Sequence, residues 1–135
     1  NRKARSVIFE GGYYRLNKYP AGQGGTDPVN VSRIAEMYLI SAEAQGYPNG
    51  VARLNELRDA RGLGGVSVTN QTNFLDAVLK ERRYELFGEN HRWYDLVRTG
   101  KAVETLGIKE FQLLFPIPDT EITKSKKILV QNPGY

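Results

Sequence analysis

Two runs of helical periodicity separated by a five-residue turn constrain this chain more than anything else in it. The first run spans about Asn30 to Gln45 and carries Ile34, Ala35, Met37, Tyr38, Leu39, Ile40, Ala42 and Ala44. It is apolar nearly all round, which predicts a helix buried on most sides. Asn30 or Ser32 is placed to cap its start, and Gly46 to end it. The second run, about Val51 to Arg61, spaces Val51, Leu54, Leu57 and Ala60 or Arg61 by three or four residues. Gly62 followed by Leu63 predicts a Schellman stop, with glycine left-handed and leucine packed back on the last turn. Gly46 to Gly50 is short enough to force the two helices to be antiparallel neighbours.

The flanks are less regular. Ser6 to Phe9 has the composition of a short strand, but Gly11 to Tyr19 alternates poorly. Residues 1–29 therefore read as an irregular to extended lead-in, with a loop around Gly22-Gln23-Gly24-Gly25. A polar loop from Gly64 to Thr72, with a short extended piece at Val66-Ser67-Val68, precedes a third helix. That helix starts near Asn73 as N-cap and stops at Gly88. A fourth begins near Asn90 and runs to Thr99-Gly100, with a brief helical tail over 101–107. Phe111 to Pro118 is apolar and then proline-locked, so extended, and Asp119-Thr120-Glu121 suggests one helical turn. The predicted fold is mainly α, with a tetratricopeptide-like helical hairpin, two further helices, and irregular or extended segments at both ends. One domain is expected over 1–135, helical over 30–107 and extended over 108–135. The hairpin has the length and texture of one tetratricopeptide unit without its full signature, and no period repeats along the chain.

Composition removes several chemistries. With no cysteine and one histidine, His91, the chain cannot build a zinc site from several Cys or His ligands, and it has no thiolate nucleophile. No cofactor or metal is expected. The net charge of +4 is spread out, with one basic run at Lys124-Ser125-Lys126-Lys127, and no nucleic-acid motif accompanies it. No apolar stretch approaches the roughly 20 residues of a membrane helix. Asn1 to Phe9 lacks the apolar length of a signal peptide. P-loop, dinucleotide and serine-elbow motifs are absent. Asn30-Val31-Ser32 and Asn70-Gln71-Thr72 match the glycosylation acceptor, a pattern common by chance.

The densest chemistry lies between Glu81 and Arg98: Glu81-Arg82-Arg83-Tyr84-Glu85, then Glu89 and His91-Arg92-Trp93-Tyr94-Asp95. Paired carboxylates with a histidine could serve glycoside hydrolysis, with Glu81, Glu85 or Asp95 as acid or base and His91 as a general base. The spacing favours structure instead. Glu81 and Glu85 are one turn apart and repel unless each finds a cation, while Arg82–Glu85, Arg92–Asp95 and Asp95–Arg98 are neighbours at i,i+3. With Arg33 and Glu36 from the first helix within reach, the expectation is an ion-pair network of Arg33, Glu36, Glu81, Arg82, Glu85, Arg92, Asp95 and Arg98 that fixes helix register. Trp93 and Tyr38 read as core residues. Tyr13 and Tyr14, beside glycines, are the candidates for exposed rings able to stack on a sugar.

Set in order, these motifs resemble a known family. Arg33-Ile34-Ala35-Glu36-Met37-Tyr38-Leu39 with Ala42-Glu43-Ala44, Leu54-Asn55-Glu56-Leu57-Arg58 to Gly62-Leu63, and Glu81 to Leu86 with His91 to Arg98 are similar to its helices. Leu114-Phe115-Pro116-Ile117-Pro118, Glu121-Ile122 and the ending Gln131-Asn132-Pro133-Gly134-Tyr135 resemble its C-terminus. The family is the SusD/RagB outer-membrane nutrient-binding proteins of Bacteroidetes, and the resemblance covers about residues 29–135. It departs at Asn90, where glycine is commoner, and in the short loop from Gly46 to Gly50.

The resemblance implies a non-catalytic, glycan-binding component of a polysaccharide uptake system, with this stretch as a C-terminal portion acting mainly as scaffold. It further implies a surface-exposed lipoprotein of the outer membrane, held by an N-terminal lipid anchor not in this chain, and a TonB-dependent transporter as partner with an oligosaccharide or other nutrient as ligand. The other functions in play are a helical interaction module that docks a transporter or another partner, and a glycoside hydrolase.

Overall fold

The computed structural model describes residues 6–19, 26–28, 31–126 and 128–135. Its elements in chain order are β1 (Val7–Glu10), β2 (Tyr13–Leu16), α1 (Ile34–Gln45), α2 (Gly50–Asp59), α3 (Gln71–Glu85), α4 (His91–Arg98), α5 (Ala102–Leu106) and α6 (Asp119–Lys124), with a 3-10 turn over Glu110–Leu113. The fold is mainly helical, as predicted. The chain divides into two compact parts, Asn1–Arg92 and Trp93–Tyr135.

In the first part, α1 packs against both α2 and α3. Ala35, Leu39 and Ala42 of α1, Leu54 and Leu57 of α2, Phe74 and Val78 of α3, and Leu86 form its core. Each fully buried Leu, Val or Phe side chain contributes roughly 1.5–3 kcal/mol. The closest approach is at Gly50, where a Cβ would lie 2.1 Å from the Ala42 carbonyl oxygen and 2.7 Å from the Phe74 ring. Only a residue without a side chain lets the turn between α1 and α2 close so tightly. Leu63 N–H reaches the Arg58 carbonyl at 2.9 Å, closing α2 with the six-to-one bond of a Schellman stop around Gly62, whose φ is +68°.

Several boundaries differ from the sequence reading. Helix α1 begins at Ile34, and its N-cap position is Arg33, in extended conformation and without a side-chain cap. Ser32 therefore does not cap it, and Asn30 lies outside the described residues, as do Gly22-Gln23-Gly24-Gly25 and Lys127. Nor is α1 buried on most sides: Ala35, Leu39 and Ala42 are covered, while Ile34, Met37 and Ile40 stay exposed. Helix α3 starts two residues earlier than Asn73. Its cap is Asn70, whose Oδ1 accepts the Asn73 N–H at 2.9 Å. Val66 and Val68 pack on the core without forming a strand, and the Asn55 side chain accepts the Val66 N–H at 2.9 Å. Trp93 and Tyr38 are half-buried rather than core.

The lead-in holds a β-hairpin that poor alternation concealed. Strands β1 and β2 pair antiparallel, Val7 with Leu16, Ile8 with Arg15, Phe9 with Tyr14 and Glu10 with Tyr13. Gly11 and Gly12 both have positive φ, +59° and +86°. That is the requirement of a type I′ two-residue turn, whose twist matches the strands it joins.

In the second part, Phe111–Leu113 lie in the 3-10 turn rather than in an extended run, and only the residues after Leu113 extend towards Pro118. Pro116 and Pro118 have no N–H, so this stretch cannot sustain a strand ladder. The tail clasps it instead. Gln131 Oε1 accepts from Ile117 N at 2.7 Å and its Nε2 donates to Ile117 O at 2.8 Å. Asn132 Nδ2 donates to Phe115 O at 2.7 Å and Tyr135 Oη to Leu114 O at 2.9 Å. The Tyr135 ring meets Phe111 edge-on at 5.2 Å.

Candidate functional site

Two features of the first part stand out chemically: a charged cluster at the C-terminal end of α3, and the tip of the hairpin that rests on it.

The cluster follows from helix spacing. Glu81 and Glu85 are one turn apart on α3, and Arg58, in the last turn of α2, and Arg61, just past its C-cap Ala60, are spaced by three. Arg58 Nη1 donates to Glu81 Oε2 at 2.7 Å, and its Nε to the Gly64 carbonyl at 2.8 Å. Arg61 Nη2 donates to Glu85 Oε1 at 2.7 Å. Each carboxylate thus has its own guanidinium, which removes the mutual repulsion their spacing would otherwise impose. Arg33 adds a second cation to Glu85, Nη1 to Oε1 at 2.9 Å, and grips Glu89 with two bonds of 2.8 and 3.1 Å. Lys18, just past β2, donates to Glu89 and, at 3.2 Å, to the Glu85 carbonyl. That carbonyl belongs to the last residue of α3, where a helix leaves acceptors unpaired and its dipole favours cations.

These contacts set the charge states. Burial alone would push the Glu85 carboxyl up, but the guanidiniums of Arg61 and Arg33 overcome it and lower its pKa to about 2. Burial likewise opposes ionisation of Glu89, and Arg33 with Lys18 outweighs it, holding that carboxyl below its ordinary value. A general acid needs the reverse, a proton retained near neutral pH. Glu85 is ionised and held by two arginines, so it is unsuited to donate a proton.

Glu36 is buried, with Arg82 Nη2 at 3.9 Å and His91 Nδ1 at 3.5 Å from its Oε1. Its Oε2 has no hydrogen-bond partner among the described residues. Arg92 is half-buried. In the second part, Asp95 is buried and takes Arg98 Nε at 3.0 Å. Of the predicted network, Arg33 and Glu85 meet directly and Glu36 faces Arg82. Sequence reasoning left out Lys18, Arg58, Arg61 and Glu89. For Arg58 and Arg61 a signal existed, because their i,i+3 spacing complements Glu81 and Glu85. For Lys18 there was none, since its contacts depend on an unrecognised hairpin.

At the hairpin, Phe9 and Tyr14 stand opposite each other and their ring centroids are 4.9 Å apart. The alternation of a strand puts Leu16 on the same face two residues on, and Leu16 sits against Gly88. The base of that face is therefore packed, while the aromatic tip is open: Phe9 is 65%, Tyr14 70% and Tyr13 76% exposed. On the other face Glu10 and Arg15 form an ion pair at 2.5 Å, next to Tyr13. The hairpin thus presents three rings to solvent from a packed, charge-anchored base. Among the described residues no group of three or more His, Cys, Asp or Glu side chains is arranged to hold a metal.

The fold is mainly helical, with a tetratricopeptide-like helical hairpin and an exposed aromatic β-hairpin tip. Residues 6–111 match the model of the SusD family, and the chain belongs to that family. It is 33% identical to SusD-like protein P38 of Formosa agariphila over 91% of this chain and 27% of that protein. Among solved structures, a laminarin binding SusD-like protein superposes with a TM-score of 0.73 at 39% identity, covering 95% of this chain and 31% of that one. Surface glycan-binding protein A from Bacteroides thetaiotaomicron superposes with a TM-score of 0.64 at 31% identity, over 78% of this chain and 24% of its own. The chain thus spans about a quarter to a third of the length of these relatives.

Proposed function

We propose that this chain serves in the non-catalytic capture of a glycan, with the hairpin tip as its contact surface and the helical body as scaffold. The observation that carries the reading is the exposed aromatic set Phe9, Tyr13 and Tyr14. Flat rings suit the apolar face of a pyranose, and Tyr hydroxyls can bond to sugar hydroxyls as they do at other half-wet interfaces. The likeness to a laminarin binding protein over nearly the whole chain supports this ligand class. On the same reading the protein works at the cell surface as an outer-membrane lipoprotein and hands its ligand to a TonB-dependent transporter. A second role, docking a protein partner, is favoured by the open apolar face of α1 formed by Ile34, Met37 and Ile40.

Affinity electrophoresis tests the capture role. The chain is expected to be retarded in gels containing laminarin, and the Tyr13→Ala/Tyr14→Ala variant to migrate as in a gel without it. Release of shortened sugars from laminarin by the chain, or equal retardation of both proteins, would overturn the reading.

A further inference from the structure

We infer that Lys18 and Glu89 are positioning residues for the aromatic tip, pinning the hairpin to the C-terminal end of α3 so that its rings are held ready for a ligand. The inference rests on the glycan-capture reading and adds to it the device that orders the surface.

A two-stranded hairpin alone is at best marginally stable in water. This one has four paired positions and a glycine turn, and three of its aromatic rings face solvent. Rings on a fluctuating support would lose their ordering entropy on every binding event, which weakens affinity. Something must hold the hairpin, and the structure shows what. The ladder runs one step past Leu16, with Asn17 N–H donating to Ser6 O at 2.8 Å. Immediately after it, the Lys18 ammonium enters the charged cluster, against Glu89 and the Glu85 carbonyl.

The site that receives Lys18 is already rigid. The Glu89 side chain is only 5% exposed and is fixed by the two bonds from Arg33, so its carboxylate does not need to be ordered by Lys18. The Glu85 carbonyl is fixed by α3. Next to them Gly88, at φ +76°, leaves room for Leu16, whose methyl carbons would lie 2.7–2.8 Å from a Cβ there. Tyr19 Oη lies 3.5 Å from the Gly88 carbonyl. One ammonium and one leucine, with the long Tyr19 bond beside them, thus join the hairpin to the turn after α3, and the ammonium supplies the charged part of that joint.

The test uses the whole chain with Lys18→Met, Lys18→Arg and Tyr13→Ala/Tyr14→Ala, followed by amide hydrogen exchange and by titration with laminarin. In Lys18→Met, exchange over Val7–Leu16 should speed up on the order of tenfold while Leu39, Leu54 and Val78 keep their protection. Laminarin affinity should fall by about five- to tenfold. Lys18→Arg, which keeps the charge, should restore most of both. The double tyrosine variant should lose more affinity than Lys18→Met while its exchange over Val7–Leu16 rises less, because Lys18 and Leu16 still hold the base of the hairpin. Unchanged exchange in Lys18→Met overturns the inference. So does faster exchange with undiminished laminarin affinity, and the glycan reading survives that result if the tyrosine variant still loses binding. If the tyrosine variant binds as the wild type does, the capture reading falls and the positioning role with it.

Discussion

Glu85 concentrates the physics of the charged cluster in one residue. Its side chain is 4% exposed and carries bonds from Arg61 and Arg33. Removing one partner of a buried pair leaves the other desolvated and unpaired, which typically costs 3–5 kcal/mol. Both arginines keep some access to water here, so Glu85→Gln should cost about 2–3 kcal/mol in urea denaturation. A loss within about 0.5 kcal/mol would show the cluster to be an ordinary surface network. The same residue sets a pH dependence. Its carboxyl titrates near 4.5 in the ordinary state and at about 2 in the fold. A depressed folded pKa means that the stabilisation is complete above the ordinary value and is lost as pH falls from there through the folded value. Glu89 acts in the same direction. Stability should hold down to about pH 5 and then fall by about 2 kcal/mol from Glu85 as pH drops from about 4.5 towards 2. A scan of Tm against pH checks this, and the slope should flatten in Glu85→Gln. An identical slope in both proteins would put the acid sensitivity elsewhere. At this scale the sequence was partly legible. Charges on one helix could be paired by counting, but Lys18 lies 71 residues from Glu89, and counting cannot see such a pair.

Elements were legible where period and punctuation agreed. Helices α1 and α2 and the stop at Gly62 follow from 3.6-residue spacing and glycine placement. The cap of α3 was misplaced because Asn70 and Asn73 are chemically equivalent, and only the geometry shows which one accepts from the other. The hairpin was missed because β1 and β2 are short and three of their rings face solvent, so alternation between core and surface is weak. The glycine pair Gly11-Gly12 was the available signal. The apolar surround of α1 overstated its burial, because within the first part only one of its faces meets α2 and α3. Gly50 shows how tight that meeting is. Gly50→Ala would drive a methyl into the Ala42 carbonyl and the Phe74 ring, neither of which can retreat without moving a helix. Overpacking of this kind typically costs 1–3 kcal/mol, and backbone on one side puts Gly50→Ala at about 3 kcal/mol or more. Thermal unfolding checks it, and a Tm equal to wild type would mean that the α1–α2 turn has slack the structure does not show.

For the whole molecule, legibility came from order rather than from any single motif. The Leu114 to Pro118 stretch and the Asn-Pro-Gly-Tyr ending are far apart in sequence, yet Gln131, Asn132 and Tyr135 bond to Ile117, Phe115 and Leu114. The prolines remove donors and the tail's amides replace them, a physical reason for the two motifs to occur together. Glu81, Glu85 and Glu89 tie the end of α3 to Arg58, Arg61 and Arg33 within the first part, while the surface proposed to meet a ligand lies in the lead-in, where periodicity had least to say. Calorimetric titration with laminarin tests stacking by the hairpin rings most directly. Tyr14→Phe, which keeps the ring, should bind within about twofold of wild type, whereas Tyr13→Ala/Tyr14→Ala should bind at least about tenfold more weakly with Tm unchanged. No heat of binding from the wild-type chain, or equal affinity in all three proteins, would contradict it.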